Sequence, residues 1–155
     1  MINSYLVHLQ ADISLFFLYG ILCMERTLLI VKPDAVAQNV IGEIIRRLEE
    51  KKFSIVNLEM VRLTRQQAAE FYAVHSQRPF YNDLLDFMTS GPCVPMALER
   101  DNAVAFLREA IGSTNPEEAA EGTIRKDFAT DIQNNAVHAS DSLENAAKEV
   151  AFFFG

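Results

Sequence analysis

The sequence predicts an α+β fold: a ferredoxin-like α/β sandwich of β-α-β-β-α-β order, with a four-stranded, mainly antiparallel sheet and helices packed on one face. Three observations carry this. The dense apolar run Thr27-Leu28-Leu29-Ile30-Val31 is stopped by Lys32-Pro33-Asp34. Two further strand-like segments follow a helical period, and a second helical period follows them before a short final strand. Setting aside one inserted helical pair leaves the six-element pattern, with added helices.

Each element has its own signal. Thr27–Val31 reads as a buried strand ended by proline. Ile41, Ile44, Ile45 and Leu48 keep helical spacing, with Glu43 and Arg47 as an i,i+4 pair. Phe53 to Leu63 alternates as a second strand. Thr64 with Gln67 forms a capping box for a helix through Phe71 and Tyr72, broken at Arg78-Pro79 and followed by a helix over Phe80–Met88. Cys93–Leu98 is a third strand, which Pro95 predicts to lie at a sheet edge. Asp101 is expected to cap a helix with Val104, Leu107 and Ile111 on its apolar side. Residues 112–134 lack strong periodicity, and a loop this long in a compact domain is usually functional. Asn135–His138 supplies a short last strand. Asp141-Ser142-Leu143-Glu144 opens a final helix expected to bury Leu143, Ala146, Ala147 and Val150.

Residues 24–155 form the working domain, and residues 1–23 stand apart. They hold no Lys or Arg and one acid, Asp12, before an apolar run from Ile13 to Cys23. That run is broken by Gly20 and is too short to span a bilayer, which takes about 20 apolar residues. Neither a basic n-region nor a small-residue cleavage site is visible. The segment is expected to be a poorly ordered extension or a start-site artefact. Across all 155 residues the net charge is -7, which argues against broad nucleic-acid binding but not against a polyphosphate in a locally cationic pocket. Cys23 and Cys93 make no disulfide framework and fit free thiols in a reducing, cytoplasmic setting.

His138 is the first candidate for chemistry. It stands just before a helix start, where unpaired N–H groups favour an anion, and imidazole is a good nucleophile near neutral pH. It could accept a phosphoryl group and pass it on. Ser142, Asn145 and Glu149 share a polar stripe on the final helix, from which Glu149 could orient the imidazole. Lys32, at a strand end, can neutralise a phosphate. Arg108, Thr114 and Arg125 offer two guanidinium forks and a hydroxyl to phosphate oxygens. Arg78-Pro79-Phe80-Tyr81, with Tyr72 upstream, supplies rings of which one could stack on a nucleobase without reading it. Each is an ordinary surface or core residue unless all converge. Walker glycine loops, kinase catalytic loops and zinc-ligand spacings are absent from the sequence.

Several ordered segments then carry a resemblance. Thr27-Leu28-Leu29-Ile30-Val31-Lys32-Pro33-Asp34, Arg78-Pro79-Phe80-Tyr81, Ser90-Gly91-Pro92, Thr114-Asn115-Pro116, Gly122-Thr123-Ile124-Arg125-Lys126-Asp127-Phe128 and Asn135-Ala136-Val137-His138-Ala139-Ser140-Asp141-Ser142 resemble the nucleoside diphosphate kinase family over residues 24–155. The resemblance implies ping-pong transfer of the γ-phosphoryl group of ATP or another nucleoside triphosphate to a nucleoside diphosphate, through a phosphohistidine at His138 and with low base selectivity. It implies that Lys32, Tyr72, Arg108, Thr114, Arg125 and Asn135 contact phosphates, ribose and the catalytic centre. Phe80 would stack the base with Leu84 beside it, Glu149 would be the carboxylate near the histidine and Ser142 a hydroxyl close by. Mg²⁺ would bridge the phosphates, with Asp141 engaging it through water. The resemblance also implies a homo-oligomer, tetramer or hexamer, with residues 112–134 near subunit contacts. One departure is Ala139, where the family usually has glycine. If that position needs φ > 0, alanine costs about 1 kcal/mol. The alternative is a non-catalytic nucleotide-binding or interaction domain of the same fold.

Overall fold

A computed structural model describes residues 24–155; the expectations for residues 1–23 lie outside the described residues. The chain runs β1 (Met24–Val31), α1 (Pro33–Ala37), α2 (Ile41–Glu50), β2 (Ser54–Leu58), α3 (Arg65–Phe71), a 3₁₀ turn (Ala73–His75), α4 (Tyr81–Thr89), β3 (Val94–Asp101), α5 (Ala103–Ile111), α6 (Ile124–Phe128), β4 (Val137–Ala139) and α7 (Leu143–Phe154). The strands make one four-stranded sheet in the order β2-β3-β1-β4, and every pairing is antiparallel. That is the ferredoxin-like sandwich.

The helices cover both faces of the sheet rather than one. Leu29 and Val31 of β1 join Ile44 and Leu48 of α2 and Leu107 and Ile111 of α5 in one core. Leu28 and Ile30 point the other way, toward Ala68, Leu85, Met88 and Val150 of α3, α4 and α7. Alternate residues of a strand face opposite sides, so a strand covered twice must be apolar throughout. This is why β1 reads as a continuous apolar run.

β3 is an interior strand, not an edge, because it pairs with both β1 and β2. Pro95 is tolerated because its C=O, and hence the place its N–H would take, faces β2. There the ladder is interrupted between Leu58 and the isolated Val61–Cys93 bridge, and Glu59 N–H donates to the Pro95 C=O at 3.2 Å. The α5 cap also differs. Asn102, in a left-handed conformation, is the N-cap, while Asp101 ends β3. The Glu25 carboxylate instead accepts the Val104 N–H of the first turn at 3.3 Å.

The Thr64–Gln67 capping box forms as the sequence predicts, and Arg47 Nε donates to Glu43 at 2.8 Å. On α7, Ala146 and Val150 are buried, whereas Leu143 and Ala147 face outward. Phe153 and Phe154 pack against the second core. The loop over residues 112–134 contains α6. Cys93 is a free thiol, and burial pushes its pKa up to about 11, away from nucleophile chemistry. Among the described residues, no helix is long and apolar enough to cross a membrane.

Candidate active site

The ends of β1 and β4 meet the α5–α6 loop and the α3–α4 corner around one cavity of about 1330 Å³. His138 enters its wall from the middle of β4, opposite Ile30. Lys32 follows β1, Arg108 comes from α5, Thr114 from the following loop and Arg125 from α6; all four line the cavity. Tyr72, Phe80, Leu84, Asn135, Asp141 and Glu149 line it too. Of the residues expected to bind nucleotide or act on it, all are therefore brought to one place except Ser142, while Tyr81, another ring offered for stacking, packs against the second core instead.

The imidazole is held from one side. Its Nε2 lies 3.0 Å from Glu149 Oε2. That same oxygen accepts the Ser140 hydroxyl at 2.6 Å. A carboxylate can only accept, so the imidazole places its proton on Nε2 and keeps the Nδ1 lone pair free. Phe71 and Tyr72 present ring edges at centroid distances of 5.4 Å and 6.0 Å, fixing the imidazole plane.

The serine of this network is Ser140, a residue missed in the sequence. Ser142 caps α7, its Oγ accepting Asn145 N–H at 3.2 Å. The missed signal was the two-residue period of a strand, which puts residues 138 and 140 on the same side. Ser140 is fully buried, and its hydroxyl also accepts the Leu28 N–H at 3.2 Å, locking it to β1.

Two of the cationic groups, Lys32 and Arg125, are buried and braced, whereas Arg108 is exposed. Lys32 Nζ donates to Asn135 Oδ1 at 2.5 Å, and the Asn135 amide donates to the Ile132 C=O at 2.8 Å. Burial drives the Lys32 pKa down to about 8, with Asp34 opposing the shift and Arg125 adding to it. Arg125 donates to the C=O groups of Gly112 at 3.1 Å and Val137 at 3.0 Å. Burial lowers it to about 10, with Arg108 contributing. An anion among Lys32, Arg108 and Arg125 would relieve this crowding of positive charge. Tyr72 OH is buried without a hydrogen-bond partner among the described residues, and burial raises its pKa. A buried hydroxyl left unpaired at a cavity wall is a donor for a ligand.

At the other end, Phe80 precedes α4 and is half exposed, its ring tilted against His75 at 5.7 Å. Leu84 sits one helical turn on. Ala139 is nearly buried in β4 opposite Leu29, and it is not among the residues with positive φ. Its methyl group costs no backbone strain and joins the core. The one sequence feature favouring a non-catalytic domain therefore loses its force.

A free imidazole nitrogen in a cavity lined by Lys32, Arg108 and Arg125, on an antiparallel α/β sandwich, points to the phosphotransferase class. The comparisons with known proteins are specific. A model of the family described as nucleoside diphosphate kinase matches residues 25–155, so the chain belongs to that family. It is 61% identical over 131 residues to the nucleoside diphosphate kinase of a Nitratiruptor species, covering 84% of this chain and 96% of that one. It is 60% identical over 130 residues to that of Legionella pneumophila, covering 84% and 92%. The crystal structure of the Aquifex aeolicus nucleoside diphosphate kinase matches with a TM-score of 0.84 at 47% identity, over 85% of this chain and 96% of that chain. The apo Encephalitozoon cuniculi enzyme matches with 0.82 at 37% identity, over 84% and 89%.

Proposed function

We propose that this chain transfers the γ-phosphoryl group of a nucleoside triphosphate to a nucleoside diphosphate in two half-reactions through phosphorylated His138. The observation that carries the reading is the His138–Glu149–Ser140 network, which leaves one imidazole nitrogen free beside three cations. In the first half, the Nδ1 lone pair attacks the γ-phosphorus and the bond to the β–γ bridging oxygen breaks, releasing the diphosphate. In the second, a terminal β-phosphate oxygen of another diphosphate attacks the phosphorus and the N–P bond breaks. Glu149 holds the Nε2 proton and balances the imidazolium charge that develops.

Phosphoryl transfer passes through a loose transition state whose charge lies on the equatorial oxygens. Lys32, Arg108 and Arg125 supply fixed positive charge there, and Thr114, Tyr72 and Asn135 supply hydrogen bonds. Phe80 and Leu84 offer an apolar platform to any base, which supports low base selectivity.

The residues also suit Mg²⁺. Asp141 lines the cavity, and a hydrogen bond from Asn145 keeps its carboxyl below the usual range, hence ionised. No group of three or more His, Cys, Asp or Glu among the described residues forms a protein cage. One carboxylate acting through water, with phosphate oxygens completing the shell, is how Mg²⁺ is commonly held. Bound there, Mg²⁺ would neutralise phosphate charge. A homo-oligomer is supported by Val56 and Leu58 on edge strand β2 and Met60 just beyond it, all exposed, and in this reading it is a tetramer or hexamer. The free Cys93 thiol is consistent with a cytoplasmic setting.

Incubation with γ-labelled ATP tests the reading. The protein should take a label that survives alkali and is lost in acid, and that passes to added GDP. His138→Ala should take none while still binding ADP. Full exchange by His138→Ala would refute the mechanism.

A further inference from the structure

We propose that Asp34 is a positioning residue for the phosphoryl-accepting imidazole, its carboxylate holding shut a strained turn at the head of the His138 strand. The inference rests on His138 being the acceptor. Residues 135–137 form a γ-turn: Val137 N–H donates to the Asn135 C=O at 2.8 Å, with Ala136 between them at φ 66°. A γ-turn with positive φ at its centre is the rare and strained form, and an L-residue other than glycine resists it. Ala136 is fully buried, and its methyl group belongs to the core around Leu29 and Val137. The chain thus keeps a side chain where only glycine would be relaxed, and something must hold the turn.

Both polar groups of Ala136 are tied to the β1–α1 corner. Its C=O accepts the Lys32 N–H at 2.9 Å, and its N–H donates to Asp34 Oδ2 at 3.0 Å. What flanks the turn is the site itself. Asn135 before it receives the Lys32 ammonium, the Val137 C=O after it receives Arg125, and His138 comes next. Opening the turn would move the imidazole against the groups that stabilise the transferring phosphoryl.

Asp34 does not line the cavity, so it acts on substrate only indirectly, through the turn and through its charge near Lys32. Its other oxygen, Oδ1, is buried without a hydrogen-bond partner among the described residues.

The test uses the full chain with Asp34→Ala, Asp34→Asn, Ala136→Gly and the Asp34→Ala/Ala136→Gly double variant. Rapid-quench labelling with saturating γ-labelled ATP, at a pH well below 8 so that Lys32 keeps its proton in every variant, reads the first half-reaction, and calorimetry with ADP reads binding. Asp34→Ala should slow labelling by about 100-fold, the scale of a small misplacement of reacting groups, with a much smaller change in ADP affinity. Asp34→Asn keeps an acceptor oxygen and should stay within about threefold. Glycine adopts positive φ without strain, so Ala136→Gly should restore at least about tenfold in the Asp34→Ala background. Asp34→Ala labelling at the wild-type rate, or a double variant no faster than Asp34→Ala, overturns the inference. If Asp34→Ala does not fold, Asp34→Asn decides: a loss beyond about tenfold overturns it and retention supports it. A wild-type chain that takes no label overturns the phosphohistidine reading and this inference with it. A labelled wild type with an equally fast Asp34→Ala overturns this inference alone.

Discussion

The two ends of the cavity are built differently. At the phosphate end, Lys32, Arg125 and Asn135 are 7%, 5% and 4% exposed, and each is tied by hydrogen bonds to a neighbouring strand or loop. At the base end, Phe80 is 50% exposed and, among the described residues, has His75 as its one aromatic neighbour. Burial at one end fixes charges before substrate arrives, which is what charge stabilisation in a transition state requires. Exposure at the other leaves a flat apolar face that any base can cover. Rate is therefore expected to depend steeply on the first end, and affinity only mildly on the second.

The sharpest break of that contrast is Lys32→Met. It removes the ammonium with little loss of volume, and steady-state exchange should fall by roughly 100- to 1000-fold, as for loss of one preorganised donor. pH supplies the companion measurement. Burial places the folded pKa of Lys32 near 8, below its ordinary 10.5. The cost of the buried cation is thus fully present below about pH 8, and folding stability rises between there and 10.5 as the folded state sheds the proton first. Phosphate binding runs the other way, since it needs the charged form. In the wild type, kcat/KM should fall as pH rises through about 8, and Lys32→Met should lack that limb. The same alkaline limb in the variant would show that another group titrates.

Much of this contrast was legible in the sequence, for physical reasons that differ by residue. Lys32 was visible because a proline stops a buried strand there, and strand ends gather ligands. The Thr64–Gln67 box was visible because capping is local. What failed depended on pairing partners. Pro95 suggested an edge, since one strand cannot disclose that its neighbour's ladder breaks opposite the proline. Leu143 and Ala147 fall outside the core because helical period gives an apolar side but not its width. Ser142 stands out on the polar stripe of the final helix, whereas Ser140, which makes the contact, is marked only by the two-residue period of the strand before it. The left-handed Ala136 has no local signal, because alanine there contradicts its own preference and is held by a distant carboxylate.

Phe80→Ala sharpens the comparison from the other end. Stacking of a base on an aromatic ring contributes about 1–3 kcal/mol, and a half-exposed ring belongs at the low end of that range. The variant should weaken binding of ADP, GDP and CDP by roughly fivefold each, with the labelling rate at saturation nearly unchanged. Unequal losses among the three bases would show that Phe80 discriminates between them, and a collapse in the saturated rate would show that the two ends are coupled.

The smallest effect separates the backbone at the nucleophile from the nucleophile itself. Ala139 follows His138 in β4, pairs with Leu29 and buries its methyl group among core residues, with no positive φ to relieve. Glycine there would widen the unfolded ensemble and remove packed apolar surface, so Ala139→Gly should destabilise by about 1 kcal/mol. For a domain of this size that lowers Tm by about 2–4 °C. The labelling rate should stay within about twofold, because neither Glu149 nor the free imidazole nitrogen depends on that methyl group. A gain in rate of tenfold or more would mean that the methyl group obstructs the phosphoryl group, so that the phosphate end would be less well formed than its burial implies.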